Sequence, residues 1–270
     1  MGKKPKNELE KRMKRYEASY GILIPPRTYT VVRVDGKNFS KFTKNMNKPF
    51  DDDFADSMHS AAIALCEMFN PAFAFTQSDE ISLVFTDFGM NSQAIFDGKV
   101  QKICSLTASR AATAFNKTLT MIKACKYEDV QDLYDSIIDG SIIVDAQFDS
   151  RVFIIPDITE VANYFVWRQK DGTRNSISMS ADKFVGKAAT VGKSSNEKQE
   201  MMFQNGVNWN DFPVKYKRGV IIKKETYTKN VQIEDKTVSA IRTRWTVDNE
   251  TPIFTQDWDY IYNLIPSNCK

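Results

Sequence analysis

Apolar positions along the first 155 residues switch repeatedly between the period of a helix and that of a strand. Residues 7–20 have the pattern of an amphipathic basic helix, ended by Gly21 and the Pro25-Pro26 pair. Thr28 to Val34 is β-branched and aromatic, predicts a strand, and runs into the turn signal Asp35-Gly36. Asp51, Asp52 and Asp53 open a helical pattern that continues to Phe69, where Asn70-Pro71 stops it. Ala72–Thr76 and Ile81–Phe85 are short apolar runs joined by Gln77-Ser78-Asp79-Glu80, which predicts a β-hairpin with a polar tip. A long helix follows from about Lys99 to Lys123, and Ile142–Phe148 and Arg151–Ile155 are strand-like.

Strand, helix, strand, strand, helix, strand is the split βαβ order, which makes the predicted class α+β and ferredoxin-like. A right-handed crossover makes the first two strands parallel, and the third turns back to lie beside the first. The end of the first strand and the hairpin tip then share one edge of the sheet, and Asp35 and Asp79 become neighbours. Residues 156–270 are less regular. They predict helices over Thr159 to about Lys170 and about Arg174 to Gly186, a third over Asn196–Asn205, and a basic β-like region from Val214 to Val247. No repeat or long linker separates this part from residues 1–155, so the expectation is one unit with additions on its C-terminal side.

Composition removes several classes. Hydrophobic residues at 42% and charged residues at 26% are a globular balance, and the net charge of +3 imposes no strong field. Charge is concentrated locally in Lys3, Lys4, Lys6, Lys11, Arg12, Lys14 and Arg15, an arm suited to phosphates or a solvated terminal helix. Cys66, Cys104, Cys125 and Cys269 form no C-x-x-C pair, which argues against zinc and structural disulfides. Without an apolar leader or membrane-length run, a cytoplasmic location with no membrane partner is expected. His59, the single histidine, sits in a helical pattern among Met58, Ala61 and Ala62 and is read as a helix-surface or interface residue, which argues against Ser-His-Asp triads and Cys-His pairs and leaves no His-rich metal site.

Two carboxylates brought together without histidine suit a pair of Mg²⁺ ions, which prefer oxygen ligands and keep waters for a substrate phosphate. Gly36 beside Asp35 allows close approach of a metal or triphosphate. Solvated turn carboxylates are the alternative. On the second long helix Lys102, Ser105 and Ser109 form a polar stripe, suited to a triphosphate if it faces the carboxylates and to solvent if it does not. WRQKDGTRN collects Arg168, Asp171, Arg174 and Asn175 around the expected break between two helices, either to hold phosphate and a base edge or as an i, i+3 surface ion pair. Gly186 and Gly192 do not make a P-loop, because five residues separate them and no apolar strand precedes them.

VVRVDGKNFSKF, TQSDEISLVF, FDSRVF, NYFVWRQKDGTRNS and KRG occur in this order. In combination they resemble the tRNA-His guanylyltransferase family, and specifically its guanylyltransferase-like branch, from about Glu8 to Val220. The resemblance implies a polymerase-palm-like catalytic domain over 1–155, with 156–270 packed on it. It also implies a nucleotidyltransferase that works in the 3′-to-5′ direction on tRNA, with ATP, GTP or another NTP as substrates. By position it makes Asp35, the Gly36 carbonyl and Asp79 ligands of two Mg²⁺ ions, with Glu80 supporting them. Gly36, Lys37, Asn38, Phe39, Ser40 and Ser78 would line the nucleotide pocket, and Lys102 and Ser105 would face the triphosphate. Arg33, Lys48, Arg151, Arg168, Asn175 and Lys198 match positions that face the tRNA end or a second nucleotide. A homotetramer is implied as well.

One departure bears on specificity. Enzymes that add G(−1) to tRNA-His carry H-I-N-N-L-Y-N where this chain has Thr173-Arg174-Asn175-Ser176-Ile177-Ser178-Met179, and only the Asn175 position survives. That form resembles the branch that repairs 5′-truncated tRNA against the opposite strand. Dedicated G(−1) addition, a non-catalytic tRNA-binding relative and a nucleotide cyclase are the alternatives. Retention of Asp35, Asp79 and Lys102 argues against the second, and the basic arm and WRQKD segment against the third.

Overall fold

The computed structural model describes residues 7–233 and 236–267, so Lys3, Lys4, Lys6 and Cys269 lie outside the described residues. Helix α1 (Glu8–Ala18) starts at Asn7, whose side chain accepts from the Glu10 amide at 2.7 Å. Strand β1 (Tyr29–Gly36) leads through a short α2 (Phe39–Phe42) to α3 (Asp52–Phe69). Asp51 caps α3 by accepting from the Phe54 amide, and Asn70 ends it in the left-handed region at φ 53°. The hairpin β2 (Phe73–Gln77) and β3 (Glu80–Phe85) follows, then α4 (Val100–Ala124), α5 (Val130–Ile138) and β4 (Phe148–Ile155). The C-terminal part contributes α6 (Ile158–Ala181), α7 (Lys187–Thr190), α8 (Ser195–Gln204), α9 (Val214–Arg218), β5 (Val220–Ile233), β6 (Lys236–Asp248) and α10 (Trp258–Tyr262).

The sheet has six strands in the order β4-β1-β3-β2-β5-β6, with each neighbouring pair antiparallel. β3 lies beside β1 as the split βαβ path requires, and the register sets Asp35 opposite Glu80. Alternation along β1 divides the interior in two. Val32 and Val34 join Met58, Leu65, Ile103 and Phe115 under α3 and α4. Tyr29 and Val31 join Phe73, Phe165, Phe254 and Ile261 under α6 and α10. Arg33 and Asp35 continue the α6 face, which therefore turns from apolar to charged as β1 ends.

Four expectations are corrected. β1 runs on through Asp35 and Gly36, because Gly36 pairs with Phe148 across the sheet and its amide donates to the Asp79 carbonyl at 3.0 Å. Residues 142–147 are not a strand. Their backbone is held by side chains of α4 instead: Thr120 accepts from the Val144 amide, and Asn116 both accepts from and donates to the backbone of Ala146. The expected break near Gly172 is absent, since α6 is continuous over 24 residues before a π turn at Asp182–Gly186. Gly172 serves close contact, as a Cβ there would lie 1.9 Å from Gln77 Oε1. Finally, α5 was not foreseen, while the basic β-like region resolves into α9 and a long ribbon whose β5 pairs with β2 only over Val220–Ile222.

Gly36 illustrates how backbone and core are coupled. An added Cβ would meet the Phe39 ring at 2.4 Å, and that ring is buried among Phe42, Phe54, Phe115 and Phe148. Gly36→Ala is therefore expected to lower stability by about 1–3 kcal/mol through overpacking, read as a lower urea midpoint at unchanged m-value.

Candidate active site

β1 ends, and the β2–β3 turn sits, under the middle of α6. Ser78 takes φ 54° in that turn, which lifts Asp79 to the sheet edge between β1 and α6. Asp79 is half-buried. Burial and the nearby Asp35 carboxylate both raise its pKa above the usual carboxylate value, whereas hydrogen bonds from its own amide and Ser78 oppose the rise. Asp35 and Asp79 are thus close enough to repel, as the topology predicts.

The charges beside them form a chain. Arg33 Nη2 lies 2.6 Å from Asp35 Oδ2 and 2.8 Å from Glu80 Oε2. Arg168, only 8% exposed, donates from Nε and Nη2 to the two Glu80 oxygens at 2.8 and 2.6 Å, and Nη2 also reaches Asp171 at 3.2 Å. Ser82 donates to Glu80 and shares a 2.9 Å hydrogen bond with Tyr164, whose phenol burial pushes up to about 12. Glu80 is accordingly an anchor between two guanidiniums, and Arg33 and Arg168 are committed to it rather than presented to an external strand.

Two cavities meet at this point. A cleft of about 120 Å³ is lined by Arg33, Asp35, Asp79, Glu80, Arg168 and Asn175. The larger, about 710 Å³, lies between the α2–α3 segment, the hairpin tip, α6 and α9, and falls in the size range of small-molecule sites. Gln77, Ser78, Asp79, Gly172 and Asn175 line both. The larger cavity has an apolar floor of Phe54, Met58 and Met179 and a cationic rim of Lys48, Lys183, Lys187 and Lys215. Phe50 and Tyr216 stack in its wall at 4.5 Å, and His59, its pKa lowered by burial, also lines it.

Among the other expected residues, Ser40 and Lys48 line the large cavity, whereas Lys37 and Asn38 are exposed and Lys37 bonds Gln147. Phe39, though buried in the core, also lines the large cavity. Lys102 and Ser105 are not in either cavity: both are exposed on the first turns of α4, with Lys102 over the Phe96 ring. The face of α4 that meets the sheet carries Ile103 and Thr107 instead, both buried, and Thr107 shares a 2.8 Å hydrogen bond with Ser150 of β4. The stripe is an outer face of α4. Arg151 is exposed and pairs with Asp149, and Lys198 donates to Ser178 at 3.0 Å. Sequence reading missed Lys183, Lys187, Lys215 and Tyr216, which come from separate segments and share no motif. It also missed Tyr164, although Tyr164, Arg168, Asp171 and Asn175 occupy one face of α6; the expected break concealed that spacing.

Among the described residues no group of three or more His, Cys, Asp and Glu side chains is arranged to hold a metal. Asp35, Asp79 and the Gly36 carbonyl are hard oxygen donors, and the repulsion that raises the Asp79 pKa is what a divalent cation relieves. This donor set fits Mg²⁺, which takes one or two carboxylates and completes its shell from water and phosphate. Among the described residues no helix is long and apolar enough to cross a membrane.

Comparison with known proteins places the chain in a family. The family model for tRNAHis guanylyltransferase matches residues 10–156. An uncharacterised protein of Acanthamoeba polyphaga mimivirus is 31% identical over 237 residues, 82% of this chain and 79% of that protein. Two structures of bacterial tRNA(HIS) guanylyltransferase-like proteins, in complex with ATP and with GTP, are 36% and 34% identical. They superpose with TM-scores of 0.76 and 0.73, each covering 96% of this chain and 99% of the other. A mixed α/β fold with an antiparallel sheet and this likeness define a nucleotidyltransferase. The chain belongs to the tRNAHis guanylyltransferase family.

Proposed function

We propose that this protein extends the 5′ end of truncated tRNA in the 3′-to-5′ direction, selecting each nucleotide by pairing with the opposing strand. The observation that supports it most is the position of Asp79, in the wall of both cavities and beside Asp35. One carboxylate pair then serves a nucleotide held in the large cavity and an RNA end entering the cleft. The β4-β1-β3-β2 core with carboxylates at its edge is read as a polymerase-type palm. Relatives bearing ATP and GTP support nucleotide as the ligand.

In this reading Lys48, Lys183 and Lys187 neutralise phosphates, Lys215 is held at the rim by Asp52, and the stacked Phe50 and Tyr216 give a base an apolar wall. Asp35, Asp79 and the Gly36 carbonyl would hold two Mg²⁺ ions, which would supply Lewis-acid stabilisation of phosphoryl oxygens. Arg33, itself held by Glu80, fixes the Asp35 carboxylate. An oxygen of the RNA 5′-monophosphate attacks the α-phosphate of ATP and expels pyrophosphate. The 3′-hydroxyl of the incoming NTP then attacks the RNA 5′-phosphate, forming the new phosphodiester and releasing AMP, with its proton passing to water. A 5′-triphosphate end enters at the second step and releases pyrophosphate. A cytoplasmic, tetrameric enzyme belongs to the same reading.

Addition of G(−1) to tRNA-His is the second reading, favoured by the family match. The departure at Thr173–Met179 supports repair: Asn175, the one position kept from H-I-N-N-L-Y-N, lines both cavities, whereas Thr173, which stands where that form has His, donates to the Lys217 carbonyl at 2.9 Å. A tRNA lacking its first nucleotide, with the opposing base varied through A, C, G and U, is expected to gain the complementary nucleotide each time. Addition of G whatever the opposing base would reject repair in favour of G(−1) transfer.

A further inference from the structure

Gln77 carries a cost that the fold does not explain. Alternation along β2 places it on the α6 face, after Phe73 and Phe75. Its side-chain oxygen Oε1 is buried and accepts no hydrogen bond among the described residues. Such orphans are rare, because a buried acceptor without a donor has lost its water and gained no partner. Turning the amide over would not help, since the oxygen would then face the Lys217 carbonyl, to which Nε2 now donates at 3.3 Å. An apolar side chain of similar length would fill the same space without the orphan. What the amide supplies in exchange is its N–H.

That N–H meets a fixed acceptor. Lys217 is buried, with Nζ donating to the Asn210 carbonyl and lying over the Trp209 ring at 5.8 Å. Just beyond it, the backbone at Gly219 passes so near β2 that a Cβ there would lie 2.7 Å from the Thr76 carbonyl. The Lys217 carbonyl also accepts from Thr173 of α6 at 2.9 Å, so it is satisfied without Gln77. On its other side the Gln77 oxygen is pressed against Gly172, in the space a Cβ of that residue would take. The amide thus spans α6 and α9, and it does so from the residue that enters the Ser78-Asp79 turn. On the β1 side the same turn is tied by the Gly36 amide, which donates to the Asp79 carbonyl at 3.0 Å. Because the strand order is β1-β3-β2-β5, Gly36 and Gln77 hold the turn from opposite flanks of the hairpin.

We propose that Gln77 is a positioning residue: its amide, clamped between the Lys217 carbonyl and Gly172, fixes the turn so that Asp79 stands at the junction of the two cavities in the geometry that transfer needs. This rests on the reading that Asp79 takes part in the chemistry. The orphan oxygen is stability given up for that geometry.

Gln77→Met keeps the length of the side chain and removes both the N–H and the orphan. Because Thr173 still satisfies the Lys217 carbonyl, the variant is expected to unfold at the same urea concentration as the wild type or a higher one, with unchanged m-value. Its single-turnover rate of nucleotidyl transfer, to a tRNA 5′ end that the wild type extends, is expected to fall about tenfold or more at saturating nucleotide. The half-saturating nucleotide concentration is expected to stay the same. Gly172→Ala acts on the same amide from the other side, where the new Cβ displaces Oε1. It is expected to slow transfer in the wild-type background and to add no further loss to Gln77→Ala. A Gln77→Met enzyme with the wild-type rate, a loss of rate matched by a loss of folded protein, or additive losses from Gly172→Ala and Gln77→Ala would each overturn the assignment. Asp79→Asn separates the two levels. If that variant transfers normally, the reading of Asp79 fails; an inactive Asp79→Asn beside a normal Gln77→Met rejects the role of Gln77 alone.

Discussion

Asp79→Asn is expected to reduce nucleotidyl transfer by on the order of 10³-fold or more while leaving the fold intact. The side chain is isosteric and stands in a two-residue turn whose conformation is set by Ser78 and by the Gly36 amide bonding to the Asp79 carbonyl. What disappears is one negative charge at the junction of the two cavities. Stability is expected to move the other way. The folded pKa of Asp79 lies above its unfolded value because burial and Asp35 disfavour the anion. Ionised Asp79 therefore weakens the fold at pH values above the folded pKa; the effect fades as the pH falls from that raised pKa to the ordinary value near 4 and is absent below it, where both states are protonated. In metal-free buffer at pH 7 the Asn variant should unfold at higher urea than the wild type, with the difference closing in acid. Near-normal turnover in Asp79→Asn would remove this carboxylate from the chemistry.

Glu80→Leu is expected to cost about 3–5 kcal/mol of stability. Arg33 and Arg168 both converge on Glu80, and the Glu80 and Arg168 side chains are only 12% and 9% exposed. Loss of the carboxylate leaves Arg168 with Asp171 alone and frees Arg33 to bind Asp35 unopposed. Urea unfolding followed by tryptophan fluorescence measures the loss. A change below about 1 kcal/mol would mean that water already compensates these charges, as in exposed ion pairs. Activity should fall too, even under conditions where the variant is folded, since the second contact that holds Arg33 is gone.

Much of the fold was legible because its signals are local. Alternation in TYTVVRV, the Asp51 cap with its apolar helix, and the Gln77–Glu80 turn each report their own element, and the order of elements with right-handed crossover places β3 beside β1. The adjacency of Asp35 and Asp79 follows from that order. Gly172 misled for the opposite reason. Glycine in a helical pattern looks like a terminus, but here the missing Cβ admits Gln77 from the neighbouring hairpin, a contact between residues far apart in sequence. Lys102 and Ser105 have the right residue types for phosphate, yet a helical stripe does not say which face of its helix meets the sheet.

By itself the sequence determined the elements, the β4-β1-β3-β2 core and the convergence of two carboxylates on one edge, because these depend on periodicity, capping and chain path. Only the tertiary structure decided that Glu80 is locked between Arg33 and Arg168, that α6 is one helix spanning the site, and that Lys183, Lys187 and Lys215 rim a cavity reaching Asp79. Each of these depends on which side chains from distant segments share a buried space, where pairing and desolvation, rather than local propensity, set the outcome.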